Sequence, residues 1–325
     1  MHIKHILPLL TAMLLVGGMA AAAELLQNRE IIFPEIAAIA AGALLTPKRA
    51  WNTDSKRMFL SIAVCAVLGV LIVRLCPFGT ALQMCLAFAI AHVLFLCSRT
   101  TFAPMISAIV LPVLLHTESP FYIAAAVILT ALILLCRALL IRLHILTDTP
   151  YEKLPPPDGA ACRSMLLCTV LGICWILLSQ AMHLPYLAAP PLLVAFTEFR
   201  KPDAVSRREP LRVILLLTFC AAAGTLLRML ICVRLGAPLF VTAALTIAAV
   251  FAIMRGLKLT LPPAAAIAIL ADLIPQEALP HFPAQIACGI AGLVLLSFAF
   301  RRSDRQAVLP HRQPEWKKVS LRDDL

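Results

Sequence analysis

The chain has 325 residues, of which 61% are apolar, 14% charged and 6% aromatic, and its mean hydropathy is +0.93. Soluble globular proteins sit near ~45–50% apolar and ~25% charged. The composition therefore excludes a soluble enzyme, a disordered tail and a nucleic-acid reader, and describes an all-α, polytopic helical membrane protein in contact with the lipid bilayer. The net charge of +11 then becomes a question of which side of that bilayer holds the basic residues.

Apolar runs, cut at charges and at Pro/Gly loops, give twelve segments at about 5–23, 31–46, 58–76, 80–97, 101–115, 121–141, 164–182, 184–197, 211–231, 237–254, 260–275 and 281–300. The first has Lys4 ahead of the apolar stretch Ile6–Met19 and Ala21-Ala22-Ala23 before Glu24, the layout of a secretory signal with an AxA cleavage site. It is read as an uncleaved span, because a counterpart recurs at 164–182. Segments two, five, eight and eleven are only about 14–16 residues long, roughly 21–24 Å of helix against a hydrocarbon core of ~30 Å. Each carries proline: Pro34; Pro104 and Pro112; Pro185, Pro190 and Pro191; Pro262 and Pro263. Such segments persist in a membrane only where protein or water satisfies the freed backbone groups, so they are expected in the interior.

The loops set the orientation. With the N-terminus cytoplasmic, alternate loops collect 24 basic residues on the inside and only Arg29, Arg74, Arg228 and Arg234 on the outside, as the positive-inside rule requires. Twelve segments with both termini cytoplasmic, in the cell inner (plasma) membrane, are the topology expected. The 11 cysteines are odd in number, mostly inside apolar runs and without a CxxC pair, which reads as packing rather than disulfide or metal chemistry.

The chain also repeats itself. Phe33-Pro34 answers to Leu184-Pro185, Thr46 to Thr197, Arg49 to Arg200 and Ser55-Lys56-Arg57 to Ser206-Arg207-Arg208, all at an offset of 151. Gly69 answers to Gly224 at 155, and Thr101, Pro104 and Glu118 to Thr260, Pro263 and Glu277 at 159. An offset that only grows is what loop insertions produce. Six segments per half, an even number, give two parallel repeats related by an axis along the membrane normal. The expected organisation is a first repeat at 1–148, a Pro-rich cytoplasmic linker at 149–162, a second repeat at 163–302 and a basic cytoplasmic tail at 303–325 containing Trp316-Lys317-Lys318.

The second half reads Leu187-Ala188-Ala189-Pro190, then Phe199-Arg200-Lys201-Pro202-Asp203-Ala204, then Leu259-Thr260-Leu261-Pro262-Pro263-Ala264-Ala265-Ala266. This order of a small-residue short span, a basic Pro-containing loop and a late T-x-P-P-A-x-A segment resembles the HPP family of integral membrane proteins. The resemblance covers roughly 184–300 and, more faintly, 31–141, as two such units fused. It implies a helical membrane protein, with transport of nitrite or a related small anion suggested for some plastid and cyanobacterial members. The His of the family motif is replaced by Leu261, and the first half has Phe102-Ala103-Pro104 at that place. Basic loops joined to paired six-span halves also resemble the aromatic-acid and fusaric-acid exporters, whose large soluble domain has no counterpart in this sequence.

Ionisable groups inside the membrane are the first functional candidates, because a charge there costs at least ~2.5 kcal/mol. Asp272, Glu35 and His92 are the candidates for coupling to a proton or cation. Asp272 also reads as an interfacial carboxylate paired with a neighbour such as Arg228, Glu35 as an interfacial group, and His92 as a packing residue. Thr46, Arg49 and Ser55 with their counterparts Thr197, Arg200 and Ser206 offer hydroxyl and guanidinium donors to an anion at the inner mouth. Thr101 and Thr260 stand at proline-started segments, where backbone donors suit an anion and a simply capped helix is the plainer reading. No metal-ligand spacing, GxSxG, phosphate-binding Gly loop or HExxH occurs, so neither an enzyme nor a cofactor or metal site is expected. The function expected is a secondary permease for a small, anionic solute, with a homo-oligomer possible. The alternative is a non-transporting scaffold or assembly partner in the inner membrane.

Overall fold

A computed structural model describes residues 3–46, 50–148, 150–201 and 204–300, and all regular structure among them is helical. In chain order the helices are α1 (Ile3–Leu25), α2 (Glu35–Leu44), α3 (Ser55–Leu75), α4 (Thr80–Ser98), α5 (Met105–Leu115), α6 (Pro120–Arg142), α7 (Gly159–Ala181), α8 (Pro190–Glu198), α9 (Val205–Arg208), α10 (Pro210–Leu227), α11 (Leu239–Gly256), α12 (Pro263–Leu270) and α13 (Phe282–Ser297). Arg228–Arg234 continues α10 as a π-helical stretch, and single 3₁₀ turns cover Arg29–Ile31, Pro185–Ala188 and Gln276–His281.

Eight helices, at the eight segments of ordinary length, are long and apolar enough to cross a membrane. Their ends follow local chemistry. Asp54 caps α3 by accepting the Arg57 N–H at 2.6 Å, and Asp158 caps α7 by accepting the Ala161 N–H at 2.7 Å. Ser119 caps α6, with Pro120 in the first turn. The Asp158 cap starts α7 at Gly159, inside the stretch assigned from sequence to the linker. The basic tail at 303–325 lies outside the described residues.

The other four segments form helices shorter than expected: 10 residues in α2, 11 in α5, 9 in α8 and 8 in α12. At ~1.5 Å per residue these are about 12–17 Å long. Proline sets where each begins. Pro34, Pro104 and Pro262 occupy the cap positions of α2, α5 and α12, while Pro190 and Pro263 open the first turns of α8 and α12. Proline has φ fixed near the helical value and no N–H to leave unpaired. It also disfavours helix in the residue before it, so the first part of each segment is not α-helical.

Burial separates the two classes. The eight long helices are between 28% and 44% buried and turn Leu14, Leu75, Val93, Leu135 and Leu295 outward. Every residue of α2 and α12 is buried, as is all of α8 except Glu198. The short helices are thus the core, and the long ones are the wall between that core and lipid.

The packing partners come in matched sets. α3 packs on α5 and α6, as α10 packs on α12 and α13; α4 lies on α5, as α11 lies on α12. Across the middle of the chain, α1 runs along α11 and α7 along α4, while α2 contacts α12 and α8 contacts α5. Two glycines allow the closest of these approaches. A Cβ on Gly69 would collide with the Ile109 backbone in α5, and one on Gly224 with the Ala268 backbone in α12. Close backbone approach is what drives helix association where lipid is as apolar as the protein. Gly69→Ala and Gly224→Ala are therefore expected to lower stability by about 1–3 kcal/mol, whereas Gly18→Ala and Gly256→Ala, which meet open space, leave it unchanged or raise it. Thermal unfolding of the four purified variants in detergent tests this contrast.

Candidate functional site

Where α12 ends, the widened π-helical turns after α10 bring Arg228 and Cys232 into the wall of a cavity of about 320 Å³. Arg228 Nη1 donates to the Ile274 carbonyl at 2.6 Å and to the Ala271 carbonyl, the free carbonyl end of α12 where a cation is favoured. Asp272 follows directly and lines the same cavity at 3% exposure. Neither of its oxygens has a hydrogen-bond partner, and the Arg228 charge acts on it without a hydrogen bond between them. Glu24, Gln27 and Arg29, from the end of α1 and the turn after it, complete the polar wall. Glu24 Oε1 accepts the Leu239 N–H at 2.6 Å.

Glu35 opens α2 at 1% exposure. One of its oxygens accepts from Ser107 in the first turn of α5, and the other has no partner. The contact joins two short helices, and Tyr122 from α6 closes the site by donating to the Ala108 carbonyl at 2.9 Å. His92 is also 1% exposed, with Nδ1 2.7 Å from Thr169 Oγ1 and Nε2 3.0 Å from Thr197 Oγ1. It therefore bridges α4 to α7 and to α8, and its ring packs on Phe88 at 4.2 Å between centroids.

The other sequence candidates are dispersed. Arg200 lines a second cavity of about 340 Å³ with Arg99 and Thr100, under the Pro155-Pro156-Pro157 stretch of the linker. Ser55 is exposed and lines a third with Arg137 and Asp148, whereas its counterpart Ser206 is buried with its hydroxyl unpaired. Thr46 back-bonds to the Gly42 carbonyl at 2.8 Å, and Thr101 Oγ1 accepts the Asn52 N–H at 2.8 Å. Thr260 is exposed, and Arg49 lies outside the described residues.

The proline-started helices offer few open donors. Among the N–H groups of their first turns, Ile36 donates back to the Phe33 carbonyl, Ile106 to Ala103, Leu192 to Ala189 and Ala264 to Leu261. What the sequence did not signal is a cluster at the opposite ends of the bundle from the Asp272 cavity. Trp51 Nε1 donates to Glu198 Oε1 at 2.8 Å, Asn52 and Glu152 exchange two hydrogen bonds, and Tyr151 donates to the Arg99 carbonyl at 2.8 Å. These contacts lie between the loop after α2, the linker and α8. Among the described residues no group of three or more His, Cys, Asp or Glu side chains is placed to hold a metal ion.

A double-mutant cycle of His92→Phe and Thr197→Val, read from unfolding in bicelles, is expected to give a coupling energy of about 0.6–1.7 kcal/mol; a value of zero removes the bridge. Asp272→Asn discards a buried charge with no hydrogen-bond partner and is expected to raise the melting temperature, whereas Arg228→Gln weakens the closure of the α12 carbonyls and lowers it.

Comparison with protein-family models, with curated proteins and with solved structures found no match to this chain.

Proposed function

We propose that this polytopic helical membrane protein is a secondary permease for a small solute bearing negative charge, built from two parallel six-segment repeats. The observation that carries the reading is the set of four short, proline-started helices enclosed by eight long ones. Discontinuous helices at the meeting of internal repeats are where transporters place their solute and ion sites. The matched packing of α3 with α5 and of α10 with α12, each admitted by the corresponding glycine, supports the duplication. The resemblance to the HPP family belongs to the same reading.

On this reading the moving parts follow from how the helices pack. The first long and first short helix of each half reach the other half, α1 and α2 on α11 and α12 and α7 and α8 on α4 and α5, while α2 also lies on α6 and α8 on α12 and α13. The moving units are therefore mixed bodies, one around α10–α12 and one around α3–α5, that rock against each other. The Glu35–Ser107 pair joins the two bodies and is positioned to respond to that movement, while His92, within the body around α3–α5, and Asp272 are the other two coupling groups. With the basic loops cytoplasmic, the Trp51–Glu198 cluster closes the inner side and the Asp272 cavity opens outward. Arg200, with Arg49, then draws the anionic group toward the inner mouth.

Flux of nitrite and of acetate into proteoliposomes tests the reading. The wild-type chain is expected to carry at least one of them, and Arg49→Gln, Arg200→Gln, Thr260→Val and Asp272→Asn are expected to slow it, Arg200→Gln and Asp272→Asn by tenfold or more. Equal flux in all four variants sinks the site assignment, and no flux of either probe counts against the anion class.

A further inference from the structure

The cavity beside α12 is walled by charges of both signs. Arg29 and Arg228 supply two guanidinium groups, Glu24 and Asp272 two carboxylates, and Gln27 and Cys232 the remaining polar atoms. Several of these groups are already engaged within the protein. Glu24 holds the Leu239 N–H, and one nitrogen of Arg228 holds two carbonyls of the α12 end. Asp272 is different: it is 3% exposed, it lines the cavity, and both of its oxygens are without a hydrogen-bond donor. A buried carboxylate in that condition is costly unless a donor reaches it, even with the Arg228 charge nearby. It also sits at the carbonyl end of a helix, where the dipole disfavours negative charge.

The chemistry of an occupant follows from pairing each charge. A simple anion drawn to the two arginines would be left facing Asp272. A simple cation drawn to Asp272 would be left facing Arg29 and Arg228. A molecule with an ammonium group at one end and an anionic group at the other satisfies both, its N–H donors filling the empty oxygens of Asp272 and its anionic oxygens meeting Arg29 and the open edge of Arg228. The cavity volume of about 320 Å³ holds such a molecule. We infer that this cavity is a binding site for a small primary-amine zwitterion. The inference rests on the transport reading for its purpose and adds, beside the simple anions, a solute class that carries its own ammonium. The ammonium headgroup of a phosphatidylethanolamine has the same chemistry, so free solute and lipid are the two sources to separate.

Calorimetric titration of the purified full-length chain in detergent micelles makes the test, independently of any flux. The probes are glycine, β-alanine and 4-aminobutyrate, which span charge separation, with phosphoethanolamine as the headgroup analogue. Butyrate and butylamine carry one sign each, and phosphatidylethanolamine and phosphatidylcholine are compared in mixed micelles. At least one zwitterion is expected to bind tenfold or more tightly than butyrate or butylamine, and Asp272→Asn to weaken it at least tenfold. Arg29→Gln, an exposed change that leaves folding intact, is expected to weaken it as well. Tighter binding of phosphatidylethanolamine than of phosphatidylcholine, with the same losses but no response to the free probes, upholds the chemistry and names lipid as its source. Butyrate binding as tightly as 4-aminobutyrate, binding unchanged in Asp272→Asn, or no binding by any probe overturns the inference. The first of these leaves anion transport standing, whereas loss of flux with zwitterion binding intact removes the transport reading alone.

Discussion

Inside a bilayer every backbone N–H and C=O must find a partner within the protein, and four helices that begin at prolines and stop after two or three turns break that condition repeatedly. The rest of the molecule is arranged to repair it. Arg137 reaches from α6 to the Ala43 carbonyl at the end of α2, and Arg228 from the end of α10 to the Ala271 and Ile274 carbonyls after α12. On the stretch leading to α8, Trp175 Nε1 donates to the Leu187 carbonyl at 2.8 Å, Ser179 to the Leu184 carbonyl at 2.8 Å, and the Tyr186 N–H is accepted by Gln285 at 3.1 Å. Most of these side chains come from long helices. The wall does more than exclude lipid: its few polar residues hold the broken backbone of the core.

That repair requires close contact, and close contact dictates composition. α2 reads EIAAIAAGAL and α12 PAAAIAIL, so their surfaces are nearly backbone. A Cβ at Gly42 would enter the Trp51 ring, and one at Gly289 would meet the Leu187 carbonyl. Packing of this kind gains little from a hydrophobic effect and much from dispersion and shape. The exchange of first helices between the two halves of the chain multiplies such contacts. It also means that α2 and α8 are buried partly against the other half, α2 on α12 and α8 on α5, so the halves depend on one another for their cores.

The eight long helices were legible from apolar length alone, and the four short ones from length together with Pro34, Pro104, Pro190 and Pro262. Their true starts were not, because a proline inside an apolar run marks a break without telling how much of the preceding chain is helical. The candidate site is less legible. Glu35, His92 and Asp272 stand out in a sequence as polar letters among apolar ones, and all three are buried. Ser107, which Glu35 contacts, and Thr169, which His92 contacts, do not, since a contact such as that of His92 with Thr169, 77 positions apart, leaves no trace in spacing. Arg137 and Arg228 read as loop charges in the sequence, yet both are buried and serve carbonyls. Positive-inside statistics weigh charges by side and are blind to such use. Matched letters also did not guarantee matched roles: Ser55 is exposed where Ser206 is buried.

The three interior ionisable side chains differ in how far the protein itself satisfies them, and that difference orders their readiness to take an outside partner. His92 has a hydroxyl at each ring nitrogen, but Thr169 and Thr197 also back-bond to the Met165 and Leu193 carbonyls at 2.8 and 2.9 Å. Each threonine has one hydrogen to give, so a neutral ring, with one N–H, forces one of them to release its helix carbonyl, whereas a doubly protonated ring lets both keep theirs. His92 is thus locked into the packing of α4, α7 and α8, and a change in its proton count is felt in helix backbone. Glu35 is half satisfied, with one oxygen on Ser107 and one empty. Asp272 is satisfied on neither oxygen and alone among the three lines one of the cavities described above. A ligand gains most where the protein has left the largest unpaired demand within its reach, because an interaction already made internally must first be given up. By that measure the end of α12, rather than the midpoint of any long span, is where chemistry from outside the protein has the most to contribute.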